Sequence, residues 1–189
     1  MTVLAVLVVA SATLPAAPEP PTPAVSKILD LFTQLRAAGA AHQPVAFQLS
    51  DGEFNEYSRW ALKSSPRPGF ESMSAKIFRY NYVSTFTVVD FDAVERWKPG
   101  TIPFALKPIL NGKKSVWIDF RFSVQNAKLT FSVEKAYFQD VRLPAFFVEK
   151  LIEILAARQK EHYDTTKPLA LPFGLRELWT ADHVIQGKN

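Results

Sequence analysis

Residues 115–138 read SVWIDFRFSVQNAKLTFSVEKAYF, and the fold turns on them. Val116, Ile118, Phe120, Phe122 and Val124 fall on one side of an extended chain, and Trp117, Asp119, Arg121 and Ser123 on the other. A period of two sustained this long predicts a strand with one face buried. Gln125-Asn126-Ala127 supplies a turn, and alternation resumes through Leu129, Phe131 and Val133. Two such runs so close together predict a β-hairpin.

The period changes after Leu143. Pro144 suits a first helical turn, where its missing N–H has no partner to lose. Over 144–160, Phe147, Val148, Leu151, Ile152, Ile154 and Leu155 fill one arc of roughly 160° at helical spacing. Glu149, Glu153 and Lys160 take the opposite side. A sheet face followed by a helix face predicts an α+β domain: a curved antiparallel sheet wrapped on a long C-terminal helix, with two shorter N-terminal helices.

Working outward, the first of those helices is expected over 27–38, capped by Ser26 and stopped by Gly39, with Ile28, Leu31, Phe32 and Leu35 on one face. Ser50-Asp51-Gly52-Glu53 has capping-box spacing and predicts a second helix reaching Leu62 or Lys63. Residues 70–94 are β-rich, with Asn81 marking a turn or bulge and with Asp90 and Asp92 sharing a strand face. Thr101 to Leu110 is apolar but broken by Pro103 and Pro108, which predicts an edge segment or an ordered loop. After a polar loop over 164–167, the apolar run 169–175 leads into last strands over 176–180 and 183–186.

The ends and the composition bound the function. Residues 1–12 carry an unbroken apolar run and Ala10-Ser11-Ala12, the form of a signal peptide and its cleavage site, although no Lys or Arg precedes the run. Residues 13–25 read as a stiff Pro-rich linker, leaving 26–189 as a single α+β domain. Export to the periplasm or cell envelope is expected. The absence of Cys excludes disulfides, thiolate metal sites and a cysteine nucleophile. A net charge of +4 favours anionic surfaces without choosing among them.

Chemistry-bearing groups are scattered. His42, His162 and His183 form no spaced ligand set, and Glu161-His162-Tyr163-Asp164 falls on different faces of a helix end. Asp90, Asp92, Glu95 and Asp119 would make an acid–base or Ca²⁺ site only if the fold gathered them. Serine-nucleophile and phosphate-loop signatures are missing, so neither catalysis, metal nor cofactor is expected. Arg79 with Tyr80 and Tyr82 interleaves charge with aromatics as single-strand binders do. The basic residues are otherwise dispersed, which argues against nucleic acid. The stronger signal is apolar excess: Phe146, residues 101–110 and residues 169–175 either line a groove mouth, seat the protein on a bilayer or partner, or close the ends of the core.

The order of elements — apolar leader, proline linker, SDGEFNEYSRWALK, long alternating strands, LPAFFVEKLI and LALPFGLR — resembles that of a set of bacterial exported proteins. That order is also similar to the tubular lipid-binding, or TULIP-like, group over residues 26–186. The resemblance implies a lipid or other apolar ligand held in a groove between a curved sheet and a helix. From the apolar periodicities, Phe120, Phe122, Phe131, Phe147, Leu151 and Leu155 are the groove candidates. The expected function is a non-enzymatic envelope protein binding a lipid or apolar small molecule, with a membrane surface as a further partner. The alternative is a scaffold or protein-interaction domain with a solid core; a hydrolase working through the Asp90/Asp92 region stands third.

Overall fold

A computed structural model describes residues 20–41, 43–66, 68–144, 148 and 168–189. Helix α1 (Pro23–Ala41) opens the described chain. The Val25 and Ser26 N–H groups donate to Thr22 Oγ1 and Thr22 O, and Pro23 sits in the first turn, where a proline suits. The helix thus starts before Ser26 and runs through Gly39. Val25, Ile28, Phe32, Leu35 and Ala38 form its buried stripe. Gly39 is there for closeness: a Cβ on it would stand 2.8 Å from the Phe173 carbonyl oxygen.

Helix α2 (Asp51–Ser64) begins with the expected capping box, Ser50 and Glu53 each satisfying the other's backbone N–H. Phe54, Tyr57 and Trp60 turn inward from it. Helix α3 (Phe91–Trp97) replaces the end of the expected β-rich stretch.

Six strands build the large antiparallel sheet. Its order is β2 (Phe70–Phe78), β3 (Tyr82–Asp90), β4 (Lys113–Gln125), β5 (Lys128–Phe138) and β6 (Val141–Leu143), with β7 (Leu169–Ala170) pairing the far end of β5. The β4–β5 hairpin closes with Gln125 opposite Lys128. Asn126 and Ala127 lie at φ 53° and 58°, the left-handed values a two-residue hairpin turn requires at both centres. A register shift at Asp119/Phe120 leaves Glu134 unpaired as a bulge. A second sheet has the order β1 (Ala46–Ser50), β9 (Val184–Lys188), β8 (Glu177–Ala181). It is tied to the first by the His183 N–H on Ile77 O (3.0 Å), and by Thr180, whose hydroxyl donates to Phe78 O (2.6 Å).

The main core lies between α1, α2, the small sheet and one face of the large sheet. Val83, Ile77, Phe122 and Leu129 meet Ile28, Phe32, Leu35, Tyr57 and Trp60 there. Each such side chain contributes about 1.5–3 kcal/mol by leaving water.

The protein is therefore a sheet-rich α+β fold, but not a curved sheet wrapped on a long C-terminal helix. Two sheets are present, the described C-terminal region is strand, and the helices covering the large sheet's inner face are α1 and α2. The physical reason is the pairing of apolar stripes. Those of α1 and α2 pack on the part of the face that Phe122 and Val83 present. Residues 145–147 and 149–167, which carry most of the expected 144–160 helix, lie outside the described residues. Val148 packs on Ala136, beside Ile118, Val133 and Leu143.

Candidate functional site

Three of the six groove candidates fall among the described residues. Phe122 is buried in the main core, and Phe120 and Phe131 pack half-buried against that same core. Phe147, Leu151 and Leu155 lie outside the described residues, as do Phe146, His42 and the 161–164 run. Phe120, Phe122 and Phe131 thus share the face that packs on the main core.

The acidic residues are not gathered either. Asp90 caps α3 by accepting the Ala93 N–H at 3.0 Å, and Asp92 lies in that helix's first turn, next to its positive dipole end. Asp119 lies on the opposite face of the large sheet from the core. His183 at the β8–β9 turn bonds Asp51 through Nδ1 at 2.9 Å. Among the described residues, no group of three or more His, Asp or Glu is placed to hold a metal ion. The Arg79–Tyr80–Asn81 turn joins β2 to β3, and Arg79 pairs with Asp182.

The two apolar irregular segments part company. In 169–175, Leu171 and Leu175 are buried, and Phe173 stacks on Phe32 with ring centroids 5.9 Å apart. That segment closes the core. In 97–110 the side chains divide. Ile102 and Leu110 turn inward with Phe138, and Leu106 packs half-buried beside them. Trp97 (62% exposed), Phe104 (88%) and Ile109 (53%) turn outward.

The outward rings stand on a built base. Glu95, in α3, accepts the Gly100 N–H at 3.0 Å, the Ile102 N–H at 3.1 Å and Lys107 Nζ at 2.9 Å. The Lys107 ammonium, followed by the two backbone donors, pulls its carboxyl down to about 2. Leu106, Lys107, Ile109 and Leu110 each donate their N–H to a carbonyl within the loop, and Asn111 Nδ2 donates to Pro108 O at 2.7 Å. A loop so fully bonded holds Phe104 out because its backbone is satisfied that way, not because it is slack.

The charge beside the rings is positive. Residues 95–114 contain Arg96, Lys98, Lys107, Lys113 and Lys114 against Glu95 alone, a local excess equal to the whole chain's +4. Lys113 is paired with Glu71 across the β2 end, and Lys107 with Glu95.

Sequence reading named Glu95 only as a possible member of an acidic cluster and did not single out Trp97, because it missed α3. The available signal was Asp90 as an N-cap followed by Asp92, an acidic helix start hidden by the apolar run that precedes it. In comparisons with protein-family models, curated proteins and solved structures, nothing matches the chain.

Proposed function

We propose that the protein is a non-enzymatic lipid-surface binder that seats on an anionic bilayer through its 97–110 loop. The observation that carries this reading is the outward placement of Trp97, Phe104 and Ile109 on a rigid, basic base. An apolar trio in water is unfavourable by the area it exposes, and burial among acyl chains reverses that. Tryptophan favours the headgroup boundary, where its ring is half apolar. Each Lys or Arg held near an anionic leaflet contributes about 1 kcal/mol. Arg96, Lys98, Lys107, Lys113 and Lys114 supply this charge, and Lys107 and Lys113 also hold the loop and its flanking strand. Neither a sealed pocket nor a catalytic group is needed. The lipid partner expected from the sequence is kept, but it meets the protein at a surface rather than between sheet and helix. The envelope, where a leader over 1–12 would send the chain, is the place of action.

Vesicle co-sedimentation tests it. The protein should pellet with phosphatidylglycerol-containing vesicles at low ionic strength and stay in solution with pure phosphatidylcholine. Phe104→Asp should abolish pelleting while the melting temperature holds. Pelleting that is indifferent to both lipid charge and Phe104 would overturn the reading.

A further inference from the structure

The outer face of the large sheet, turned away from the core, carries an aromatic row that the lipid reading does not use. Register places Phe86 opposite Trp117, Trp117 opposite Tyr137, and Tyr137 opposite Arg142, across β3, β4, β5 and β6. At a strand spacing of about 4.8 Å the three rings span roughly 10 Å. Phe86 is 37% exposed and Trp117 47%, in edge-to-face contact with centroids 6.2 Å apart.

Trp117 is fixed in place. Its Nε1–H donates to Asp119 Oδ1 at 2.8 Å, and Asp119 Oδ2 accepts the Tyr82 hydroxyl at 2.7 Å. Asp119 is only 8% exposed although it lies on this face, because its neighbours cover it. Burial works to raise its carboxyl, but donation from Ser84, Tyr82 and Trp117 outweighs that and holds it below the usual range. The same contact, with burial, pushes the Tyr82 hydroxyl up to about 12. A large ring held by a saturated buried carboxylate and left half open to water is a preorganised stacking surface.

Positive charge borders the row. A depression of about 360 Å³ at Arg142, the residue opposite Tyr137, is lined by Glu134, Lys135, Arg142, Leu143 and Pro144. Glu134 is engaged by Arg121 at 3.4 Å. Lys135 and Arg142 form no ion pair among the described residues, although the Lys135 charge, opposite Asp119, also helps to lower that carboxyl; the depression thus presents two cations, of which Arg142 is the less engaged.

We propose that this face binds an acidic polysaccharide, sugar rings lying on the Trp117 row and their carboxylates meeting Lys135 and Arg142. Pyranose rings offer an apolar C–H face to an aromatic plane, and a uronate offers a flat anion to a guanidinium. A row of this length takes two successive sugars. Ser115, Ser123, Thr130 and Ser132 give the rest of the face a hydroxyl surface suited to sugar hydroxyls.

Affinity electrophoresis of the full chain in gels containing polygalacturonate or dextran tests this. The expected result is retardation by polygalacturonate and none by dextran. Trp117→Ala, and separately Lys135→Ser with Arg142→Ser, should each weaken retardation at least tenfold. The double serine variant alters only exposed side chains, so it keeps the test valid if Trp117→Ala does not fold. Phe104→Asp should be retarded like the parent, which separates this face from the lipid-binding loop. Equal retardation of the parent and the double serine variant, no retardation by polygalacturonate, or equal Trp117-dependent binding of oligo(dT) would overturn the proposal.

Discussion

Residues 169–175 and 101–110 look alike on paper, both apolar and both broken by proline, yet one is swallowed and the other presents Phe104 and Ile109 to water. The difference lies in what anchors the backbone. The 169–175 segment is pulled in by the Leu171 N–H on Ala127 O and by Phe173, whose carbonyl packs on the bare Cα of Gly39. The 97–110 loop is held on the outside by Glu95, which gathers Gly100, Ile102 and Lys107 beneath it. Composition sets how greasy a segment is; its anchors decide which way the grease points.

The sharpest way to break that comparison is one charge placed in each segment. Leu175 is 1% exposed. Leu175→Asp would bury an unpaired carboxylate, and should destabilise by about 4 kcal/mol or more, or prevent folding. Phe104→Asp should change stability by less than about 0.5 kcal/mol. Urea denaturation of both variants measures the contrast, and similar losses would remove the distinction.

The glycines sharpen it next. Gly39→Ala must displace the Phe173 carbonyl, and should cost about 1–3 kcal/mol as an overpacked contact. Gly100 has nothing within 4 Å of a would-be Cβ, but lies at φ +78°. Gly100→Ala should therefore cost only the left-handed backbone term, about 1–2 kcal/mol. If Gly100→Ala proved the costlier on thermal melting, the tight approach at Gly39 would not be what holds the inner segment.

Glu95 gives a test in pH. Its carboxyl is held at about 2 against an ordinary 4.5, so the charged form is the one the folded loop prefers. The loop's ordering by Glu95 is then fully present above pH 4.5 and lost as pH falls through about 2. Amide exchange at Gly100 and Ile102 should be slow in the parent above pH 4.5 and lose that protection as pH falls toward 2. Glu95→Gln should speed exchange at both, while Leu171 and Leu175 stay protected. Unchanged exchange in Glu95→Gln would mean that the loop is held by other contacts.

The smallest effect lies at the hairpin turn under the inner segment. Ala127 sits at φ 58°, where glycine is at ease. Ala127→Gly should be neutral to stabilising, by up to about 1 kcal/mol, because relief of the left-handed strain opposes glycine's greater chain entropy. A clear loss of stability would show that the Ala127 methyl packs usefully beneath 169–175.

These particulars show what was legible. The β4–β5 hairpin was, because alternation over two long strands and a two-residue turn leave little room for another pairing. The α2 start was, because a capping box is local chemistry. Helix α3 was not: seven residues show too little periodicity to stand out from a strand, and Val88-Val89 runs straight into it. The cover of the sheet was misread for a different reason. The apolar arc over 144–160 is present in the sequence, but an arc does not name the face it meets, and the face around Phe122 and Val83 is covered by α1 and α2. Phe120, Phe122 and Phe131 do lie inward, against the main core; alternation alone does not separate core from groove, since leaving water contributes equally whether the neighbour is protein or ligand. The outward loop was invisible because its direction depends on three hydrogen bonds to one carboxylate.

On the proposed reading, Phe104 enters a bilayer. The chain contains no Cys, so Phe104→Cys can carry a single environment-sensitive dye, with Tyr80→Cys, at a position 79% exposed, as the control. On vesicles containing phosphatidylglycerol the label at 104 should shift to the blue and become shielded from aqueous quenchers, while the label at 80 does neither. A label at 104 that remains as wet as the one at 80 would contradict the account.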